Sequence, residues 1–199
     1  MLLPVAIFDD FLNAKQAGAL LSFVQSNEDG FAPSGVHVAD SDAPQELMRR
    51  SLSMTDGYDE ALCEFHAALD DHFDDLCATA HVPPFKECER EVDLVAHLDG
   101  HHYRRHVDTL TEDARSDTSA DRMISLVYYF HAEPKAFSGG ELTMHPIGGG
   151  GQHVVEPRHN RLVAFSSISP HEVLPISLPG NRFADARFSV ACWMCRARK

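Results

Sequence analysis

Arg122-Met123-Ile124-Ser125-Leu126-Val127-Tyr128-Tyr129-Phe130-His131 is the stretch that decides the fold class. It is dense in the β-branched and aromatic residues that suit a pleated, half-buried surface, and neither glycine nor proline interrupts it. On such a strand Val127 and Tyr129 share one face, and Tyr128 must point to the other. Working outward, short runs of the same kind, separated by Gly, Pro and polar clusters, recur at 91–97, 104–108, 141–145, 153–156, 162–166, 171–176 and 186–195. Eight short strands with no helix between them predict a double-sheet antiparallel barrel, a jelly roll. The glycines at 148–151 form a loop, and no repeat of solenoid length is present.

The N-terminal part reads differently. Residues 1–8 are apolar and read as an opening strand. From 9 to 25, Phe11, Leu12, Ala19, Leu20, Phe23 and Val24 recur at helical spacing. A polar segment follows over 30–44, and 58–80 is again helical through Leu62, Phe65, Leu69, Phe73 and Leu76, closed by Pro83-Pro84. The expectation is an α+β, mainly β chain. It would be one domain over 1–199, with 1–84 as mostly helical support and 85–199 as a jelly-roll catalytic core, the helices buttressing one sheet.

The 199 residues are 44% hydrophobic and 24% charged, which fits an ordinary globular chain rather than a disordered or fibrous one. A net charge of −13 argues against nucleic acid or an anionic membrane as partner, because phosphate binding needs clustered Lys and Arg. The apolar start lacks a basic region and is interrupted by Pro4 and Asp9-Asp10, so it reads as neither signal peptide nor membrane span. Five cysteines make no even-numbered framework, which points to a reducing cytoplasm. Cys192-Trp193-Met194-Cys195 has redox or zinc spacing, but it falls in a predicted strand and lacks further ligands.

The triplet H-x-D places an imidazole and a carboxylate on one face of a strand, where both can reach one metal ion. With a second histidine from elsewhere it makes the facial triad of non-haem iron(II), which leaves coordination positions open. Three such triplets occur. His72-Phe73-Asp74 lies in a predicted helix, where residues two apart diverge, and reads as a solvated face. His97-Leu98-Asp99 ends a strand and runs into Gly100, while His106-Val107-Asp108 has the fuller strand context.

That context resembles the prolyl-4-hydroxylase-like branch of the iron(II) and 2-oxoglutarate dioxygenases. Tyr103-Arg104-Arg105-His106-Val107-Asp108 looks like the family's metal-binding strand. Ser125 to Phe130 looks like the strand that often reads YYL, and Gly139-Gly140-Glu141-Leu142 is similar to its GGEL step. Pro157 to Phe165 follows the Pro-x-x-x-x-Leu-hydrophobic-x-Phe pattern. Pro170-His171-Glu172-Val173 resembles the segment of the distal metal histidine, and Arg187 to Trp193 the strand of the co-substrate arginine. The likeness covers 92–193 and keeps the family's motif order.

The resemblance implies Fe(II), 2-oxoglutarate and O2 as cofactors, with His106, Asp108 and His171 holding the metal. It implies Arg187 on the far carboxylate of 2-oxoglutarate, since a guanidinium makes bidentate, charge-assisted bonds there. Arg182 is the rival, just beyond the turn residues Pro179-Gly180. Tyr129 would donate to the same carboxylate; Val127, Leu142, Val173 and Ser189 would line the pocket. His97 stands where many relatives have tyrosine, so it is either a co-substrate or substrate contact or a plain strand-end residue. Tyr103 and Trp193 are further substrate candidates. The stretch 175–187 is longer than in compact relatives, and the polar loop 109–121 reads as a lid. The implied reaction is hydroxylation of an unactivated C–H bond of a peptidyl or free amino acid or a small metabolite. Asp108 argues against a halogenase. The alternatives are a cupin-type metal enzyme without 2-oxoglutarate and a non-catalytic binding module on the same fold. Oligomeric state is not legible.

Overall fold

The computed structural model of the chain describes residues 1–35, 45–110 and 115–198. In chain order these form β1 (Val5–Asp9), α1 (Ala14–Ser26), β2 (Phe31–Pro33), α2 (Gln45–Met48), β3 (Arg49–Arg50), β4 (Leu52–Met54), α3 (Cys63–Asp71) and α4 (Phe73–Thr79). The strands β5 (Glu87–His97), β6 (His102–His106), β7 (Ala120–Phe130), β8 (Ser138–Gly139), β9 (Leu142–Met144) and β10 (His153–Val155) follow. The last are β11 (Arg161–Ser166), β12 (His171–Val173), β13 (Ile176–Ser177) and β14 (Arg187–Ala197).

Two antiparallel sheets make the jelly roll that the alternating runs predict. The larger runs β1-β11-β7-β14-β5-β4-β2 and the smaller β10-β9-β12-β6-β3, while β13 pairs with β8 apart from both. Period-two alternation sorts β14 into two rows. Phe188, Val190, Cys192 and Met194 join the main apolar core with Leu20, Val24, Phe65 and Leu69 of α1 and α3. Arg187, Ser189, Ala191 and Trp193 line a cavity on the other face. Burial of each large apolar side chain contributes about 1.5–3 kcal/mol. The helix-side layer therefore carries stability, and the opposite face can hold polar groups.

Local sequence explains the helices. Asn13 caps α1: its side chain accepts from Gln16 N while Gln16 accepts from Asn13 N, a reciprocal capping box. The helix predicted over 58–80 is instead two, broken at His72. The His72 ring bonds to the Ala68 carbonyl at 2.9 Å, the acceptor its own backbone N–H would use in a continuous helix, and that N–H turns to Leu69 O. The ring packs on Phe8 and Phe11, so His72 is half-buried in a packing contact, while Asp74 of the same triplet stays exposed.

A second difference concerns residues 1–84. Beyond the expected opening strand they supply β2, β3 and β4, which extend both sheets. Strands of two or three residues are too short to show alternation. Residues 36–44 of the polar segment and 111–114 of the expected lid lie outside the described residues.

Candidate metal centre and anion site

His106 ends β6 and His171 opens β12, and these antiparallel strands pair with the two residues in register opposite one another. Cross-strand partners on one face bring side chains together, and the imidazole centroids are 4.2 Å apart. Asp108 lies just beyond β6. The backbone N–H groups of Asp108 and Thr109 both donate to Ser167 O, at 3.0 and 3.1 Å, which pins the turn against the end of β11 and brings the carboxylate back to the histidines. His106 Nε2 is 3.4 Å from one Asp108 oxygen and His171 Nε2 is 3.6 Å from the other.

Backbone carbonyls orient both rings. His106 Nδ1 donates to Arg104 O at 2.7 Å and His171 Nδ1 to Ser169 O at 2.9 Å, which leaves both Nε2 lone pairs for a shared ion. Burial alone would raise the Asp108 pKa. The adjoining His171 and His106 rings and Ser125 outweigh it and hold the carboxyl below its ordinary range, so it stays ionised. Burial pushes His171 down, towards the neutral form a metal requires. Two neutral imidazoles and one carboxylate, with ligand atoms within 4.8 Å of one another, fit iron(II) with open positions. Tyr103 stacks on His106 at 3.6 Å.

The other end of the cavity is cationic. Arg187, at 1% exposure the largest fully buried side chain, is flanked by neutral groups. Its Nη1 donates to Gly140 O and its Nη2 to His97 Nδ1, both at 2.8 Å, and its guanidinium lies over the Tyr129 ring. Among the described residues it forms no ion pair; Glu141 acts on it only at a distance. Arg187 Nε and the Tyr129 hydroxyl are both buried without a partner among the described residues. Buried charge without a counter-ion is costly, and a carboxylate would satisfy the charge and these donors together. Val127, Leu142, Val173 and Ser189 line the space between this group and the triad.

The remaining sequence candidates separate cleanly. Arg182 is exposed and ion-paired to Asp185, away from the cavity. Asp99 turns from His97 and accepts from Leu178 N at 2.7 Å, which ties down the long 175–187 stretch, so the second H-x-D pair does not converge. Trp193 lines the cavity with Arg122 stacked over it at 4.1 Å, and Arg122 is ion-paired to Glu91. Arg49 of β3 lies over Tyr103 and 3.6 Å from Asp93. Sequence reading missed Arg49, Ser125 and the Gly140 carbonyl. Only Ser125 leaves a signal, as a small polar residue on the Val127–Tyr129 face.

Cys192 packs in the helix-side core with its thiol pushed up to about 12, mainly by burial, and all five cysteines are free. Glu89, Glu91 and Cys195 make a second cluster, but Glu91 already holds Arg122 and burial raises the Cys195 thiol far from its reactive range. No described helix is long and apolar enough to cross a membrane.

Comparison with known proteins agrees with this geometry. A family model described as the 2OG-Fe(II) oxygenase superfamily matches residues 92–195. An uncharacterized PKHD-type hydroxylase of Synechocystis is 38% identical over 132 residues, 60% of this chain; the match spans only 41% of that relative's length. A Pseudomonas putida prolyl-4-hydroxylase superposes with a TM-score of 0.71 at 26% identity, over 98% of this chain and 94% of that one. A Trichoplax adhaerens prolyl hydroxylase, solved with a peptide fragment of hypoxia inducible factor, shares the fold at a TM-score of 0.65 and 21% identity, covering 96% and 83%.

Proposed function

This chain belongs to the 2OG-Fe(II) oxygenase superfamily, and from that premise we propose that it is an iron(II)- and 2-oxoglutarate-dependent hydroxylase of the prolyl-4-hydroxylase-like branch. Its substrate would be a peptidyl or free amino acid, or a small metabolite, with an unactivated C–H bond. His106, Asp108 and His171 would hold the iron, and Arg187 with Tyr129 the far carboxylate of 2-oxoglutarate. When bound, iron and 2-oxoglutarate supply the oxidising chemistry with O2: one oxygen atom leaves in succinate, as carbon dioxide is released, and the other enters the substrate as hydroxyl.

The observation that carries the reading is a buried, uncompensated guanidinium in the cavity that the triad also lines. A cupin-type enzyme without 2-oxoglutarate has no use for such a cation, and a binding module has no use for the triad as well. Arg187 and Tyr129 bind and orient the dicarboxylate; Val127, Leu142 and Val173 exclude water between its two ends. Tyr103, stacked on His106, and Trp193 line the same cavity and would touch the substrate. The free cysteines favour a reducing cytoplasm.

Anaerobic addition of iron(II) and 2-oxoglutarate tests the reading. A visible metal-to-ligand charge-transfer band is expected, abolished by His171→Ala and weakened by Arg187→Ala; no band in the wild type overturns it. Mass spectrometry for addition of one oxygen atom, over peptide and amino-acid pools, then identifies the substrate.

A further inference from the structure

We propose that His97 is the positioning residue for Arg187: a neutral acceptor that fixes the guanidinium without discharging it, so that its full charge is left for the ligand's carboxylate. The proposal rests on the reading of Arg187 as the carboxylate anchor.

His97 and Arg187 are Cα partners across β5 and β14, so their side chains emerge on the same face of the larger sheet. Arg187 Nη2 donates to His97 Nδ1 at 2.8 Å. A guanidinium can only donate, so Nδ1 must carry the lone pair and the ring's proton sits on Nε2. That fixes the tautomer without reference to any ligand. The surroundings keep the ring uncharged: it is 4% exposed, and burial, then the charge of Arg187, hold its pKa well below the ordinary value.

The chemistry of the acceptor matters. Arg187 has two partners, the Gly140 carbonyl and His97, and both are neutral. Aspartate or glutamate at 97 would hold the guanidinium equally well in space but would neutralise it and compete with the incoming carboxylate. An aliphatic residue would leave Nη2 without its partner and the side chain free to turn. Gly140 cannot fix the orientation alone, because a single acceptor leaves the planar group free to swing about that bond. Histidine meets both demands, and its neighbour His101 adds no charge, with a pKa lowered to about 4 chiefly by burial.

The test is a set of substitutions at 97 in the full chain, read by calorimetric binding of 2-oxoglutarate to manganese(II)-loaded protein and by long-range proton–nitrogen NMR of the ligand-free protein. Asparagine places an amide oxygen where Nδ1 was and should keep the dissociation constant within about threefold of wild type. Leucine should weaken binding by about tenfold or more, the scale of one lost hydrogen bond to a charged group. Aspartate, isosteric with asparagine and different only in charge, should weaken it further than leucine. In turnover the loss should fall on KM for 2-oxoglutarate and leave kcat within about threefold. The NMR spectrum should show a neutral His97 protonated at Nε2. Equal affinities for the asparagine and aspartate variants, or a ring protonated at Nδ1, would overturn the proposal. Should Arg187→Leu bind 2-oxoglutarate as wild type does, the anchor reading itself fails. An Arg187 loss alongside unaffected position-97 variants sinks only the role of His97.

Discussion

Replacing Arg187 by methionine separates what this residue does for folding from what it does for binding. In the ligand-free protein two effects oppose. Removing a fully buried, unpaired cation relieves a desolvation cost of several kcal/mol. Losing the bonds to Gly140 O and His97 Nδ1 strands two acceptors at about 1–3 kcal/mol each. The terms are of similar size, so the unliganded melting temperature should move by only a few degrees in either direction. Binding has no such cancellation, because two charge-assisted hydrogen bonds to a carboxylate are lost, about a hundredfold or more in Kd. At 2-oxoglutarate set to 100 times the wild-type Kd, ligand linkage stabilises the wild type by about 2.7 kcal/mol and the variant by about 0.4 kcal/mol or less. For a chain of this length that is about 5–10 °C against about 1 °C. Differential scanning fluorimetry of manganese(II)-loaded protein, with and without 2-oxoglutarate, reads both numbers. An undiminished ligand-induced shift in Arg187→Met would refute the assignment. A loss of more than about 10 °C in the unliganded variant would refute the claim that the cation is held at a cost.

Two further outcomes are expected. Gly139 has φ +74°, and a Cβ there would lie 2.3 Å from the Pro175 carbonyl oxygen, so Gly139→Ala should destabilise by more than about 1 kcal/mol and weaken 2-oxoglutarate binding through the adjacent Gly140 carbonyl; denaturant titration and calorimetry check both, and a neutral variant would mean that β8 and β13 are not packed this closely. His101 is lowered from 6.5 to about 4, chiefly by burial, so the unfolded chain binds a proton that the folded one refuses between those values, and stability should fall as pH drops through that window; a urea midpoint that declines from pH 7 to pH 4.5 as steeply in His101→Gln as in wild type would contradict it.

The alternating runs made the jelly roll legible, because period two is written into each long strand and its turns are marked by Gly and Pro. The triad was legible for a related reason: an H-x-D step at a strand end and a histidine in a later short strand need only one register to meet, and His106 opposite His171 is that register. What stayed hidden depends on distant neighbours. β2, β3 and β4 are edge segments of two or three residues and carry no period of their own. The break at His72 comes from a ring that competes for one carbonyl, which helical spacing cannot reveal. Strand context already favours Arg187 over Arg182 in the sequence; the burial that supports that choice is a property of the folded chain.

That choice has a basis in the way the chain distributes its charge. The other buried arginine, Arg161, pairs with Asp9, and the half-buried ones also have carboxylate partners: Arg90 with Glu87 and Asp70, Arg122 with Glu91, Arg49 with Asp93. A chain with net charge −13 has acidic groups to spare, yet none pairs with Arg187 among the described residues. Left without a counter-ion the guanidinium weakens the fold, so its isolation makes physical sense only if an anion from outside completes it. The neutral histidine beside it, where an acidic residue would have been more stabilising, follows from the same requirement. On this reasoning a substitution that supplies an internal carboxylate, such as His97→Asp, should raise the stability of the ligand-free protein while it lowers affinity for 2-oxoglutarate. Paired measurement of melting temperature and Kd on that one variant exposes the trade. If both fall together, the unpaired charge is not what the cavity is built to offer.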